Sequence, residues 1–158
     1  MPTARRAASA EDEPFLRRLY ASTRPEVADW PDEPRDAFLA QQFEAQRAGW
    51  TASFPGSDHD VLEVDGVPVG RIWVHWSESD CLIVDVALLP ERRRQGLGTE
   101  VVRELIAAAD RVGVPVRGHV ERTNLPSLAF WTKLGFRETV LDALFFEIER
   151  PYEPGSAS

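Results

Sequence analysis

Cysteine is almost absent from this 158-residue sequence. Cys81 stands alone, so neither an internal disulfide nor a thiolate zinc cage can form, and nothing calls for an oxidising compartment. Long apolar runs are missing as well. No stretch approaches the ~20 residues needed to cross a bilayer. Arg5 and Arg6 are followed by no apolar segment of the kind that opens a signal peptide, which predicts a cytoplasmic chain with no membrane partner. Positive charge is scarce: 18 Lys+Arg against 26 Asp+Glu give a formal charge of −8, the reverse of what nucleic acid requires of its partner. A nucleic-acid partner is therefore not expected. An acidic surface suits a cationic amine, and plain solubility explains it as well.

What is present is ordinary for a globular chain. With 43% hydrophobic and 28% charged residues, disordered, collagen-like and coiled-coil classes drop out, and the length suits one domain over residues 1–150 with a flexible tail at 151–158. Ser9 and Asp12 resemble a capping box, and Phe15, Leu16, Leu19 and Tyr20 fall on one helical face. A second helix is expected from Arg35, carrying Phe38, Phe43 and Trp50 and ended by Gly49 and Pro55. Asp65-Gly66 between two β-rich runs predicts a tight hairpin, and Cys81 to Leu89 reads as a buried strand stopped by Pro90. From near Thr99 the period becomes helical until Gly113, a left-handed C-cap. A strand over Val114 to Val120, a short helix over Leu125 to Leu134, and one or two strands within Thr139 to Glu149 complete the pattern. The order β-α-α-β-β-β-α-β-α-β-β predicts a mixed α+β domain.

Between the strand ending at Leu89 and the helix near Thr99 lies Pro90-Glu91-Arg92-Arg93-Arg94-Gln95-Gly96-Leu97-Gly98-Thr99. A strand–loop–helix junction with two glycines presents backbone N–H groups at the positive end of a helix, and the glycines let a phosphate approach without a Cβ in the way. Three consecutive arginines in an acidic protein add charge-assisted donors. The segment is an anion site. It is neither a dinucleotide fingerprint, since Val101 replaces the third glycine, nor a P-loop.

These residues resemble the GNAT superfamily of acyl-CoA-dependent N-acyltransferases. Arg93-Arg94-Gln95-Gly96-Leu97-Gly98 fits its Arg/Gln-x-x-Gly-x-Gly/Ala signature. Asn124-Leu125-Pro126-Ser127-Leu128-Ala129-Phe130-Trp131-Thr132-Lys133-Leu134-Gly135-Phe136 resembles its second motif, and Arg5-Arg6-Ala7-Ala8 with Asp12 its opening. The resemblance implies an acetyl-CoA-dependent N-acetyltransferase of GNAT fold: a mostly antiparallel mixed sheet, splayed between its fourth and fifth strands. The pantetheine arm would lie in the opening against the backbone near Leu88. The pyrophosphate would sit on the loop Arg93, Arg94, Gln95, Gly96, Leu97, Gly98 and Thr99, with Asn124, Ser127, Trp131 and Lys133 as further cofactor contacts.

Transfer to an amine needs a base, because a lysine-like amine with a pKa near ~10.4 is protonated at pH 7. Where family members often carry Glu or His before the loop, this chain has Leu82 and Val84, and Trp131 stands where the family places a tyrosine acid. That leaves His119, on the next strand, as the expected base and Asp85 as a second candidate, with backbone N–H near Leu88 as the oxyanion donor. Tyr20 and Tyr152 are the only tyrosines, and nothing places either at the thiol. His59 and His75 have no partners at ligand spacing, so no metal is expected. Asp29, Trp30, Asp32, Glu33, Asp36 and Trp50 hint at a cationic, partly apolar acceptor, whether small molecule or peptide, bound by a monomer or homodimer. The apolar Leu82 and Val84 together with Trp131 also fit a silent acyl-CoA-binding or regulatory domain, and the Trp and Phe content a longer-chain acyltransferase.

Overall fold

The computed structural model describes residues 3–154, so the end of the expected tail, 155–158, lies outside the described residues. Seven strands form one mixed sheet, in the order β1-β2-β3-β4-β5-β7-β6. They are β1 Ala4–Ala7, β2 Asp58–Val64, β3 Val67–Trp76, β4 Cys81–Leu88, β5 Val116–Glu121, β6 Arg137–Val140 and β7 Phe145–Arg150. Four helices accompany them: α1 Glu13–Ser22, α2 Asp32–Ser53, α3 Leu97–Val112 and α4 Leu125–Lys133. The element order is the one read from periodicity. Two compact units divide the chain, one reaching to Trp73 and adding Asp85–Gln95, the other comprising Val74–Val84 and the chain from Gly96 onward.

In the first unit β1 pairs antiparallel with β2, Arg5 opposite Leu62. The Asp12 carboxylate accepts from the Ser9 N–H at 2.8 Å, which closes the start of α1, and also receives both terminal nitrogens of Arg6 at 2.8 and 2.7 Å. The apolar face of α1 then buries Phe15, Leu16, Leu19 and Tyr20 with Phe43, Val61 and Leu89. Asp65 and Gly66 both take positive φ, 53° and 76°, the primed turn that Asp-Gly favours.

α2 departs from expectation at both ends. It begins at Asp32 rather than Arg35, because Pro34 occupies the first turn, where no intrahelical N–H is needed, and Asp32 and Glu33 suit the positive helix end. It also runs through Gly49 to Ser53. A mid-helix glycine costs only ~1 kcal/mol relative to alanine. Trp50, packed edge-on against Trp73 with ring centroids 5.3 Å apart, anchors the last turns.

In the second unit β4 and β5 pair in parallel over Cys81–Ile83 and Val116–Gly118. The strand expected from Val114 starts at Val116, since the Val114 N–H still closes the end of α3 on Ala109 O at 3.1 Å, behind Gly113 at φ 80°. β7 pairs antiparallel with both β5 and β6. Leu97, Val101, Val102, Leu105, Ile106 and Ala109 form the buried stripe of α3, and Val116, Gly118 and Val120 the buried face of β5.

Candidate active site

β4 ends at Leu88, and the Leu89 N–H is tied to Val69 O at 2.9 Å. A 3-10 turn over Pro90–Arg92 follows, and Arg93 returns to extended backbone. Arg94 and Gly96 then take left-handed conformations, φ 62° and 81°, and α3 starts at Leu97, two residues before the expected Thr99. For Arg94 that geometry costs on the order of 1 kcal/mol, a cost structures tolerate chiefly at functional sites. The first bond to close in α3 runs from Glu100 N–H to Gly96 O at 3.0 Å. The amides of Leu97, Gly98 and Thr99 are therefore the first-turn donors that a helix leaves without an intrahelical acceptor. Among the described residues Arg92, Arg93 and Arg94 have no carboxylate partner, so their charge is not neutralised from within. Gln95 instead secures the turn, Nε2 donating to Glu91 O at 3.1 Å.

Arg93 has a defined contact. Its Nε donates to the Leu88 carbonyl at 3.2 Å, so the signature arginine reaches the backbone expected to meet the pantetheine arm. From the neighbouring strand Gly70 approaches the same backbone. A Cβ there would stand 2.3 Å from Ala87 O and 3.2 Å from Leu88 Cα. Sequence reading passed over Gly70, although an isolated glycine inside a strand is a known sign of close backbone approach.

Asp85 is engaged. The Nε of Arg71, a residue only 6% exposed, donates to its carboxylate at 2.9 Å. Arg71 Nη2 donates to Gln46 at 2.9 Å, and its guanidinium lies 5.1 Å from the Trp50 ring centroid. Nearby, His59 stacks on Trp73 at 4.2 Å, and the Trp73 indole donates to Ser57 Oγ at 2.7 Å. Burial, and after it the positive charge of Arg71, pushes the His59 imidazole down to about 4.

In the second unit Asn124 caps α4, its Oδ1 accepting from Ser127 N–H at 3.2 Å, and Ser127 Oγ accepts the Trp131 indole N–H at 3.1 Å. Trp131 is buried between Phe130 and Phe136, with ring centroids 4.9 and 5.0 Å away. Lys133, the chain's single lysine, is exposed at the C-terminal end of α4. His119 is exposed on the face of β5 opposite Val116, Gly118 and Val120, with Glu147 as its cross-strand partner. Leu82 and Val84 are half-buried. Among the described residues no group of three or more His, Cys, Asp or Glu is arranged to hold a metal ion, and no helix is long and apolar enough to cross a membrane.

The sequence pattern that defines the acetyltransferase (GNAT) family matches residues 14–136. No curated protein sequence matches the chain. Among solved structures, the PaiA N-acetyltransferase of Thermoplasma acidophilum in complex with coenzyme A is 19% identical, with a TM-score of 0.73 over 96% of this chain and 100% of that one. YncA of Salmonella typhimurium, with its cofactor acetyl-CoA, is 21% identical, with a TM-score of 0.61 over 100% and 98%. The ribosomal-protein-S18-alanine N-acetyltransferase of Escherichia coli is 16% identical, with a TM-score of 0.64 over 99% of each chain. At these identities the likeness is one of fold.

Proposed function

The chain belongs to the acetyltransferase (GNAT) family, and from that premise we propose that it moves an acetyl group from acetyl-CoA to a primary amine, by direct transfer with both substrates bound. The segment Arg93 to Thr99 carries the reading. Two left-handed residues and three first-turn amides, beside arginines that have no carboxylate partner among the described residues, are the donors and charge that a pyrophosphate takes.

Acetyl-CoA supplies an acyl group activated as a thioester; the remaining work falls to the chain. Arg94 through Thr99 hold the phosphates, and the backbone at Leu88 pairs with the arm and offers an N–H to the developing oxyanion. Asn124 caps with its Oδ1 and Ser127 accepts the indole with its Oγ, so the Asn124 amide N–H groups and the Ser127 hydroxyl proton remain as donors to the arm. His119 takes the proton from the acceptor amine, directly or through one water. As the amine nitrogen bonds to the acyl carbon, the carbon–sulfur bond breaks and the thiolate leaves. With a thiol pKa near ~8.5, the thiolate takes its proton from water. Trp131 provides none, because its N–H is held by Ser127 and does not ionise near neutrality. Lys133 serves the negative end of α4 and lies within the cofactor motif. Asp85 holds Arg71 through its carboxylate and is the second candidate for the base.

The test is thiol release from acetyl-CoA in the presence of polyamines, aminoglycoside-type amines and peptides. Release that depends on one class of amine is the expected result. Coenzyme A binding without release from any amine would instead mark a silent binding domain, and faster release from longer acyl chains would mark the longer-chain enzyme.

A further inference from the structure

Two features converge on Leu88. Arg93 Nε donates to the Leu88 carbonyl at 3.2 Å, while Gly70 brings β3 so close that a Cβ would fall 2.3 Å from Ala87 O and 2.7 Å from Leu88 Cδ2. Real Cβ atoms do not approach a carbonyl oxygen at that distance, so any side chain at position 70 must displace the Ala87–Leu88 backbone. We propose that Gly70 and Arg93 are positioning residues that set the Leu88 backbone against the reacting thioester, and that Arg93 does so with its Nε. This rests on the acetyltransferase reading above, in which Leu88 meets the cofactor arm.

The consequence is that Arg93 differs in kind from its neighbours Arg92 and Arg94. A cation serving only the phosphates affects a substrate in proportion to its phosphate charge. A guanidinium that fixes a carbonyl matters to any substrate whose acyl group lies at that carbonyl, phosphorylated or not. A misplacement of about 1 Å at a reacting group costs up to about 10²-fold in rate. Relieving a 2.3 Å contact requires a displacement approaching that size.

Acetyl-CoA and S-acetylpantetheine, which carries the same arm and thioester without any phosphate, separate the two roles. Thiol release is measured with both donors, at a saturating amine, for the wild-type chain, Arg93→Gln, Arg94→Gln and Gly70→Ala, each checked for folding by circular dichroism. The expected result is that Arg93→Gln lowers kcat about 10- to 100-fold with both donors, whereas Arg94→Gln raises KM for acetyl-CoA alone. Gly70→Ala follows Arg93→Gln. If the loss in Arg93→Gln is confined to acetyl-CoA and vanishes with S-acetylpantetheine, Arg93 is a phosphate ligand only and the proposal is overturned. Should Gly70→Ala fail to fold, the Arg93 comparison decides alone. A wild-type chain that binds no coenzyme A and releases no thiol overturns the acetyltransferase reading itself, and this inference with it.

Discussion

His119 is exposed on β5, two residues beyond Arg117 on the same face, and across the strand pair from Glu147. Arg117 is already shared among Asp80 at 3.3 Å, Glu149 at 3.2 Å and, more loosely, Glu147 at 3.7 Å. His119→Ala should lower kcat by about 10²–10⁴-fold with little change in acetyl-CoA affinity. An enzyme retaining its full rate would return His119 to the bystanders. Trp131 is different in kind. It was legible as a departure from the family's tyrosine, but its hydrogen bond to Ser127 and its burial between two phenylalanines were not, because they depend on how α4 packs.

At the scale of elements, β2 and β3 hold a second histidine whose consequence is for stability. His59 is stacked on Trp73, its Nε2 is buried without a hydrogen-bond partner among the described residues, and its pKa falls to about 4. The charged groups acting on it are Arg71 and Arg47, which lower it, and Asp60 and Asp12, which raise it. Below its ordinary value of 6.5 the unfolded chain binds a proton that the folded chain refuses, so stability is full above that value and declines as pH falls toward about 4. Asp12, held well below the ordinary carboxylate range by Arg6, contributes a separate loss that begins only lower, as pH drops past 3.8. Urea midpoints measured from pH 7.5 to 4.5 should therefore fall for the wild-type chain and stay level for His59→Phe. A wild-type midpoint that is flat over that range would contradict the assignment. Periodicity revealed nearly every element here, including α1, the Asp-Gly hairpin and the Gly113 cap. Hidden from it were the Arg71–Asp85 pair, which joins residues distant in sequence, and the extent of α2, where Trp50 packing outweighs the glycine signal.

At the scale of the molecule, the proposed function asks a protein of formal charge −8 to receive an anionic substrate. The Debye length decides how. At ~0.1 M salt, charges more than ~10 Å from the phosphates are screened, and the arginines of the 92–94 run dominate; near ~0.01 M, where the length reaches ~30 Å, repulsion from the whole surface joins in. Calorimetry should show coenzyme A affinity falling with salt above ~0.1 M but flattening below it, and Arg93→Ala should weaken binding more than Arg92→Ala. Equal losses would indicate a diffuse field with no defined contact. The sheet order was the feature least visible in the sequence. Thr139 to Glu149 announced one or two strands, yet nothing local indicates that β7 is inserted between β5 and β6. That insertion has a bearing on truncation. β6 precedes β7 in the chain but pairs with it, Arg137 opposite Glu149 and Val140 opposite Phe146. A chain ending before Phe145 would carry an unpaired β6 and a bare β5 edge, the kind of exposed edge that recruits foreign strands. Truncation there should therefore yield a chain that aggregates or that chaperones retain, and restoring the six residues Phe145–Arg150 should be what lets it go.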